Sequence, residues 1–533
     1  MTHGPVGDSG SGVDYEESEH SGKVVRIASV AALGGLLFGY DSAVINGAVA
    51  ALQDEFAIND VTLGFAVASA LLGAAVGALT AGRLADKIGR RSVMKLAAVL
   101  FFVSAIGTAF ATHIWLVVIF RIVGGLGVGV ASVIAPTYIA ETAPPRIRGR
   151  LGSLQQLAIV TGIFLSLSID YLLAHLAGGS REELWLGMAA WRWMFLVMAV
   201  PAVVYGVLAY TIPESPRYLV AQFRIPEARR VLTMLLGEKN LEITIHRIED
   251  SLKSEKPPSW QDLLKPRLPG MSASSFTAWV RRYLWWLMLL FIVLAVVAVF
   301  FGWWLLALVF GALGVGVAVI GGLYGIVWVG LGLSIFQQFV GINVIFYYSN
   351  VLWEAVGFDE SQAFTITVIT SVTNIVTTLI AIALIDKIGR KPLLLIGSTG
   401  MAVTLGTMAV IFGTAPQVDG QPQLSGAAGP IALIAANLFV VAFGMSWGPV
   451  VWVLLGEMFP NRIRAAALGL AAAGQWVANW LITVSFPELR NVLGVAYGFY
   501  ALCAVLSFIF VWRWVEETKG KHLEDMHAEA LRT

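Results

Sequence analysis

Along most of its length the chain repeats one pattern: an apolar run of about helical membrane-crossing length, then a short polar or basic break. A bilayer core of ~30 Å is crossed by ~20 apolar residues in a helix. That measure predicts spans near 27–50, 61–82, 93–112, 114–138, 152–177 and 191–212, and again near 361–385, 393–415, 430–456, 465–486 and 494–514. Residues 1–26 are polar and acidic at first, without the basic-then-apolar layout of a secretory signal, and are expected to form a disordered tail. Residues 213–282 are charged. Within them Val231, Leu232, Leu235 and Leu236, and later Ile243, Ile245 and Ile248, recur at helical spacing, which predicts short amphipathic helices. Residues 515–533 form a polar tail.

From Tyr283 to Trp353 there is no charged side chain at all. At ~1.5 Å per helical residue this stretch is long enough for roughly three crossings. Gly302 and the pair Gly321-Gly322 suit turns, so a hairpin of 283–301 and 303–322 is expected, followed by a span at 325–350. One long or re-entrant apolar element is the alternative. The expected division is a tail (1–26), a six-helix half (27–212), a cytoplasmic helical linker (213–282), a transmembrane hairpin (283–322), a second six-helix half (325–514) and a tail (515–533), about fourteen spans in an all-α polytopic membrane fold.

Composition narrows the function. Only 13% of the 533 residues are charged and 57% are hydrophobic, against about 25% charged in soluble domains. That excludes an ordinary soluble enzyme and a disordered chain. A net charge of +1 offers no footprint for nucleic acid. Cys503 is the one cysteine, so no intrachain disulfide forms. No His/Cys/Glu cluster has metal-ligand spacing, and neither a cofactor motif nor a catalytic triad is visible. Lys and Arg set the orientation. They gather in 1–26, 82–95, 146–150, 217–282, 387–391, 462–464 and the C-terminal tail, while the alternate loops hold only Arg181, Arg192 and Arg490. Both termini are therefore expected on the cytoplasmic side of a cell membrane.

An internal repeat adds more than hydropathy does. DKIGR occurs at 86–90 and 386–390, each time in the basic loop after the second span of a half. Glu141 with Arg148 and Glu457 with Arg464 echo each other at a spacing of seven after each fourth span. Two similar halves rocking about a central site is a common transporter design. Charges at these helix ends suit a cytoplasmic gate of Asp86, Arg90, Glu141, Arg148, Asp386, Arg390, Glu457 and Arg464, with Glu214 and Arg217 of PESPR joining it. The plainer alternative is charge that only anchors loops.

The motifs GRLADKIGRR (82–91), PTYIAETAPPRIRGRLGSLQQL (136–157), PESPRYL (213–219), QQFVGIN (337–343), DKIGRK (386–391) and GEMFPNRIR (456–464) make the chain resemble the sugar porters of the major facilitator superfamily. The resemblance covers about 27–260 and 325–525. Two features depart from it. The hairpin at 283–322 lies outside the usual twelve-span fold, and the usual PETKG reads EETKG at 516–520, without its proline.

Ionisable groups at membrane depth cost ~2.5–3.5 kcal/mol on insertion scales and are functional candidates. Asp41 lies in the first span and Arg121 in the fourth. The resemblance implies that they pair, and that an Asp at position 41 couples transport to protons; a permanent structural ion pair is the alternative. A sugar needs groups that both donate and accept, and an apolar cover for its ring faces, which amides and indoles supply. Gln156, Gln337, Gln338, Asn343, Asn374, Gln475, Trp452 and Trp476 lie mid-span. A break at Gly448-Pro449 is expected in the tenth span, and Gly341 permits a local bend between the glutamines and Asn343. The resemblance implies that these residues contact sugar, with Gly448, Phe38 and Tyr347 beside them and Tyr347 with Tyr348 gating the outer side. Any one amide has the alternative of tying helices together. Ile163 stands where the xylose-symporter branch has another Gln. The expected function is proton-coupled import of a monosaccharide or related polyol by alternating access, with the sugar, the proton and the lipid bilayer as partners. An uncoupled facilitator and a transporter-like sugar sensor are the alternatives.

Overall fold

The computed structural model describes residues 14–143, 148–237, 241–254, 263–264, 275–418, 421–459 and 463–519. Helices dominate it, with only two tiny antiparallel hairpins, Glu183–Trp185 with Met188–Ala189 and Gln417–Val418 with Gln421–Pro422. In the first group of six spans the helical stretches are Gly22–Glu55, Asp60–Ile88, Arg90–Ala109, Ile114–Ile139, Leu154–Ala177 and Ala190–Ala209. In the second group they are Gly325–Ala355, Glu360–Ile385, Arg390–Thr414, Ala428–Leu455 and Ala466–Trp514. The last is a pair of helices, Arg464–Leu489 and Leu493–Trp514, joined by a single 3-10 turn at Arg490–Val492. The first helix begins at Asp14, inside the stretch expected to be disordered. Its early Asp and Glu residues favour a helix N-terminus through the macrodipole.

Local chemistry fixes many ends. Asn59 accepts from the Thr62 N–H at 2.8 Å to start the second span, and Asp359 with Gln362 forms a capping box to start the eighth. Each of these helices stops at the DKIGR loop, where Gly89 and Gly389 take φ of +94° and +104°. A Cβ at Gly89 would lie 2.4 Å from Glu214 Oε2, and one at Gly389 would lie 2.8 Å from Glu517 Oε2. The glycines thus let a remote carboxylate reach the first free N–H groups of the next helix.

Between the second and fourth spans the backbones meet through small residues. A Cβ on Gly125 would stand 1.9 Å from the Ala70 carbonyl, and one on Gly73 2.2 Å from that of Ile122. The charged linker forms the helices Pro216–Ala221, Ile225–Leu236 and Leu241–Ser254, in keeping with its amphipathic spacing. The uncharged stretch forms helices Ser275–Phe300 and Trp304–Gly321, packed on each other about a turn with Gly302 at φ +72°.

Four spans are interrupted among the described residues: the sixth divides at Met198, between Ala190–Val197 and Ala199–Ala209, and the other three interruptions shape the site. The first breaks at Val44, between Asp14–Ala43 and Ile45–Glu55. The seventh breaks between Phe339 and Ile342, with Gly341 at φ +82°. The tenth breaks at Met445-Ser446, between Ala428–Gly444 and Trp447–Met458. This corrects the expected break at Gly448-Pro449. Pro449 sits in the first turn of a helix, where its missing N–H costs nothing.

Candidate functional site

A cavity of about 1030 Å³ lies between the two groups of six spans. All eleven expected sugar-contacting residues line it: Phe38 and Gln156 from the first group, and Gln337, Gln338, Asn343, Tyr347, Asn374, Gly448, Trp452, Gln475 and Trp476 from the second. The broken helices account for the gathering. Gln337 spends its amide N–H groups on the Trp447 and Gly448 carbonyls, at 2.8 and 3.1 Å. These are early carbonyls of the re-started tenth helix, so the seventh and tenth spans are tied at their breaks. Across the bend at Gly341 the Asn343 amide donates to Gln338 Oε1. Phe38 and Trp476 bring their ring centroids to 5.9 Å at a tilt of 48°, an aromatic contact from one half to the other. Ile163 also lines the cavity and adds an apolar patch to the first half's wall.

Gln155, Ser42 and Asn479 belong to the same lining and were missed. Gln155 was shadowed by its neighbour Gln156. Asn479 sits one turn beyond Gln475 and donates to the Tyr347 hydroxyl at 3.4 Å, a partner that only the fold reveals. Tyr348, expected beside Tyr347 in a gate, turns away: its hydroxyl donates to the Thr483 carbonyl at 2.7 Å, and its ring packs on Phe486.

Asp41 and Arg121 meet in the first half. Arg121 Nη1 donates to the Asp41 backbone carbonyl at 2.9 Å and lies 3.4 Å from Asp41 Oδ1. Both side chains are at most 2% exposed. The second carboxylate oxygen, Oδ2, has no hydrogen-bond partner among the described residues, nor has Arg121 Nε. The pair is therefore loose for a buried one, with the backbone oxygen closer to Arg121 than the carboxylate is. A pocket of about 10 Å³, the size of one water, adjoins it. Ser42 and Tyr347 line both this pocket and the large cavity. A single layer of side chains thus separates the carboxyl from the polyol-sized space.

The cavity runs from the amide layer toward Arg390, at the end of the bundle that carries the basic loops. The other end is closed by bonds between the halves. Asn46 donates to the Phe346 carbonyl at 3.0 Å and accepts from the Asn350 N–H at 3.1 Å. Arg490 donates to Asp60 at 2.9 Å and to Gln53 at 3.0 Å, and the Ser180 N–H donates to Glu360 at 2.7 Å.

At the basic end, each half carries its own cluster of charges. Arg90 makes a two-pronged bond to Glu141, both arms 2.9 Å, and lies 3.0 Å from Asp86. Glu214 Oε1 accepts from the Arg90 N–H at 3.0 Å, and Ser215 donates to Glu141 at 2.5 Å. In the second half Glu517 takes the place of Glu214, accepting from the N–H groups of Arg390 and Lys391 at 3.1 and 3.0 Å. Glu517 was missed because in sequence it is one more charge in a charged tail. Arg217 is engaged in this region. The side chains of Arg148, Asp386, Glu457 and Arg464 lie outside the described residues.

Comparison with known proteins agrees with this architecture. The chain matches the family described as "Sugar (and other) transporter" over residues 27–306 and 322–530, and the stretch left out lies in the second hairpin helix. It is 51% identical to the glucose transport protein of Synechocystis sp., over 94% of this chain and 97% of that protein. It is 36% identical to the D-xylose-proton symporter of Escherichia coli, over 96% of each. The inward-open structure of the E. coli xylose transporter XylE superposes with a TM-score of 0.71 at 35% identity, covering 95% of this chain and 99% of that one. Its partially occluded inward-open form gives 0.72. With repeated DKIGR loops, broken seventh and tenth spans and a cavity shared by two six-helix groups, the chain is a multi-pass membrane protein of the major facilitator fold and belongs to the sugar transporter family.

Proposed function

We propose that the protein imports a monosaccharide together with a proton by alternating access. The observation that carries this reading is the gathering of eleven amide, indole and other ring-facing residues in one cavity, one side-chain layer from the buried Asp41–Arg121 pair. Amides lining the second half hold the hydroxyls, while Trp452, Trp476 and Phe38 cover the ring. Ile163 in the lining, and the likeness to a glucose transport protein, favour a hexose over xylose.

Both termini and the basic loops face the cytoplasm in this reading, following the distribution of Lys and Arg, and the hairpin crosses the membrane twice. The conformation described is then open to the inside. Asp41 takes a proton while the site faces outward, and the neutral acid lets go of Arg121. Sugar bound in the cavity then draws the halves together at the outer end. Once the inside opens, the proton leaves past Ser42 and Tyr347, and the charged Asp41 returns to Arg121. At the inner end, the Arg90–Glu141–Glu214 and Arg390–Glu517 clusters hold each half rigid so that the halves rock as bodies.

Asp41→Asn tests the coupling. The amide keeps the backbone carbonyl that Arg121 uses, so the fold is expected to survive. In proteoliposomes the variant is expected to lose accumulation against a gradient by at least tenfold while still exchanging labelled for unlabelled sugar. Accumulation that persists in D41N removes proton coupling through this site and leaves an uncoupled facilitator.

A further inference from the structure

A second carboxyl is buried in the first half, and the transport cycle above does not use it. Asp170, in the fifth span, has no exposed surface, and neither of its oxygens has a hydrogen-bond partner among the described residues. It packs directly on Gly47, where an added Cβ would come within 2.7 Å of Oδ2. Gly47 belongs to the first turn of Ile45–Glu55, the outer piece of the broken first span, whose N-cap Val44 contributes no side-chain bond. The next residue back is Asn46, which bonds the second half through Phe346 and Asn350. The carboxyl therefore sits between the hinge of the first span and the outer lock.

Among the described residues no cation pairs with it. Tyr40 is the titratable side chain of the first span that bears on it. The fourth span, whose Arg121 is held by Asp41, the helix Ala190–Val197, whose Arg192 pairs with Glu55, and the eighth span also pack on the fifth, and the backbone group set against Asp170 is the Gly47 amide. On its own helix, Tyr171 and His175 stack on each other, and Ser166 and Ser168 leave their hydroxyls unbonded. A sealed carboxylate without a cation is costly, and the neutral acid is the form such a site accepts.

We propose that Asp170 is a proton-binding carboxyl of the outer gate: it takes a proton from the outside before the outer half of the first span seats on the fifth span, and gives it back to the outside when that half lifts. This proton is not carried across, because the inner cavity does not reach Asp170. It makes closure of the outer end dependent on outer pH, separately from the proton that Asp41 carries. The inference rests on the symport reading.

The test uses sugar exchange by D41N in proteoliposomes, with the inner pH fixed and the outer pH stepped from about 5.5 to 8.5. Exchange by D41N is expected to slow at least fivefold as the outer pH rises. D41N with Asp170→Asn, which mimics the neutral acid, is expected to stay fast and flat. A flat profile in D41N, or the same slope in the double variant, overturns the proposal and leaves Asp170 as a helix-capping group. Proton uptake per sugar in D170N alone is expected to equal that of the unsubstituted protein, and a lower value also overturns it. Failure of the symport reading shows elsewhere, as accumulation by D41N, so the two outcomes are distinct.

Discussion

Single side chains act here chiefly by satisfying backbone groups that the helices leave free. Glu517 is a clear case. Burial opposes its charge, but the N–H groups of Lys519, Arg390, Lys391 and Thr518 outweigh that and hold its carboxyl below the ordinary value of 4.5. A depressed carboxyl contributes stability that is present above its unfolded pKa and is lost as pH falls through the folded one. Glu517→Gln is expected to lower the melting temperature at neutral pH by the equivalent of about 1 kcal/mol, the scale of a partly exposed charge-assisted bond. Thermal unfolding in detergent as a function of pH checks it: the gap between the two proteins closes as pH drops below about 4. Legibility at this scale followed chemical rarity. Asp41, Arg121 and the mid-span amides were visible because charge and amide are rare at membrane depth. Glu517 sits among ordinary tail charges, and only the folded proximity of Gly389 marks it out. Asp170 carried the same signal as Asp41 but lay beyond the motif at 136–157 that marks the start of its span.

At the scale of elements, helix breaks and insertions matter more than helix lengths. Span positions followed hydropathy within a few residues, because every backbone polar group in lipid must be bonded within its helix. Break positions did not follow from proline alone. The re-started tenth span is held in place at Trp447 by Gln337, which donates to its carbonyl, and by its own indole, which donates to Ser398 at 2.9 Å. Both partners are remote in sequence. The hairpin shows the opposite situation. Gly302 marked its turn, and its two helices touch the bundle lightly while Trp286, Leu305 and Leu308 each stay more than 70% exposed. None of its described residues lines the cavity. Removing 283–322 is therefore expected to leave KM for sugar within about fivefold, less than ~1 kcal/mol of binding. Uptake by the deletion variant checks this. A much larger loss would mean that the hairpin positions the seventh span, which follows it directly in the chain.

For the whole molecule, the balance between outward and inward openings is set by what each end loses when it parts. The inner bonds of Arg90 with Glu141 and Glu214, and of Glu517 with Arg390 and Lys391, each lie within one half and are not broken by rocking. The outer end is different, since Arg490–Asp60, Arg490–Gln53, Ser180–Glu360 and the Asn46 bonds all cross between halves. Arg490 and Asp60 are 18% and 27% exposed, between a surface pair worth under ~1 kcal/mol and a charge-assisted buried bond of ~1.5–3. Arg490→Gln is thus expected to shift the conformational ratio toward outward-open by roughly five- to tenfold, about 1–1.4 kcal/mol. Spin labels at Glu183 and Ser361, exposed positions of opposite halves at this end, report it as a gain in the long-distance population. Cys503, the one native cysteine, is buried and leaves the labelling selective. Asp60→Asn should move the same population in the same direction, and combining it with R490Q should add little, because both remove one bond. If neither variant lengthens the distance, the outer end is held by backbone packing such as Gly64 on Val484. The ion pair then only decorates a closure that the helices themselves make.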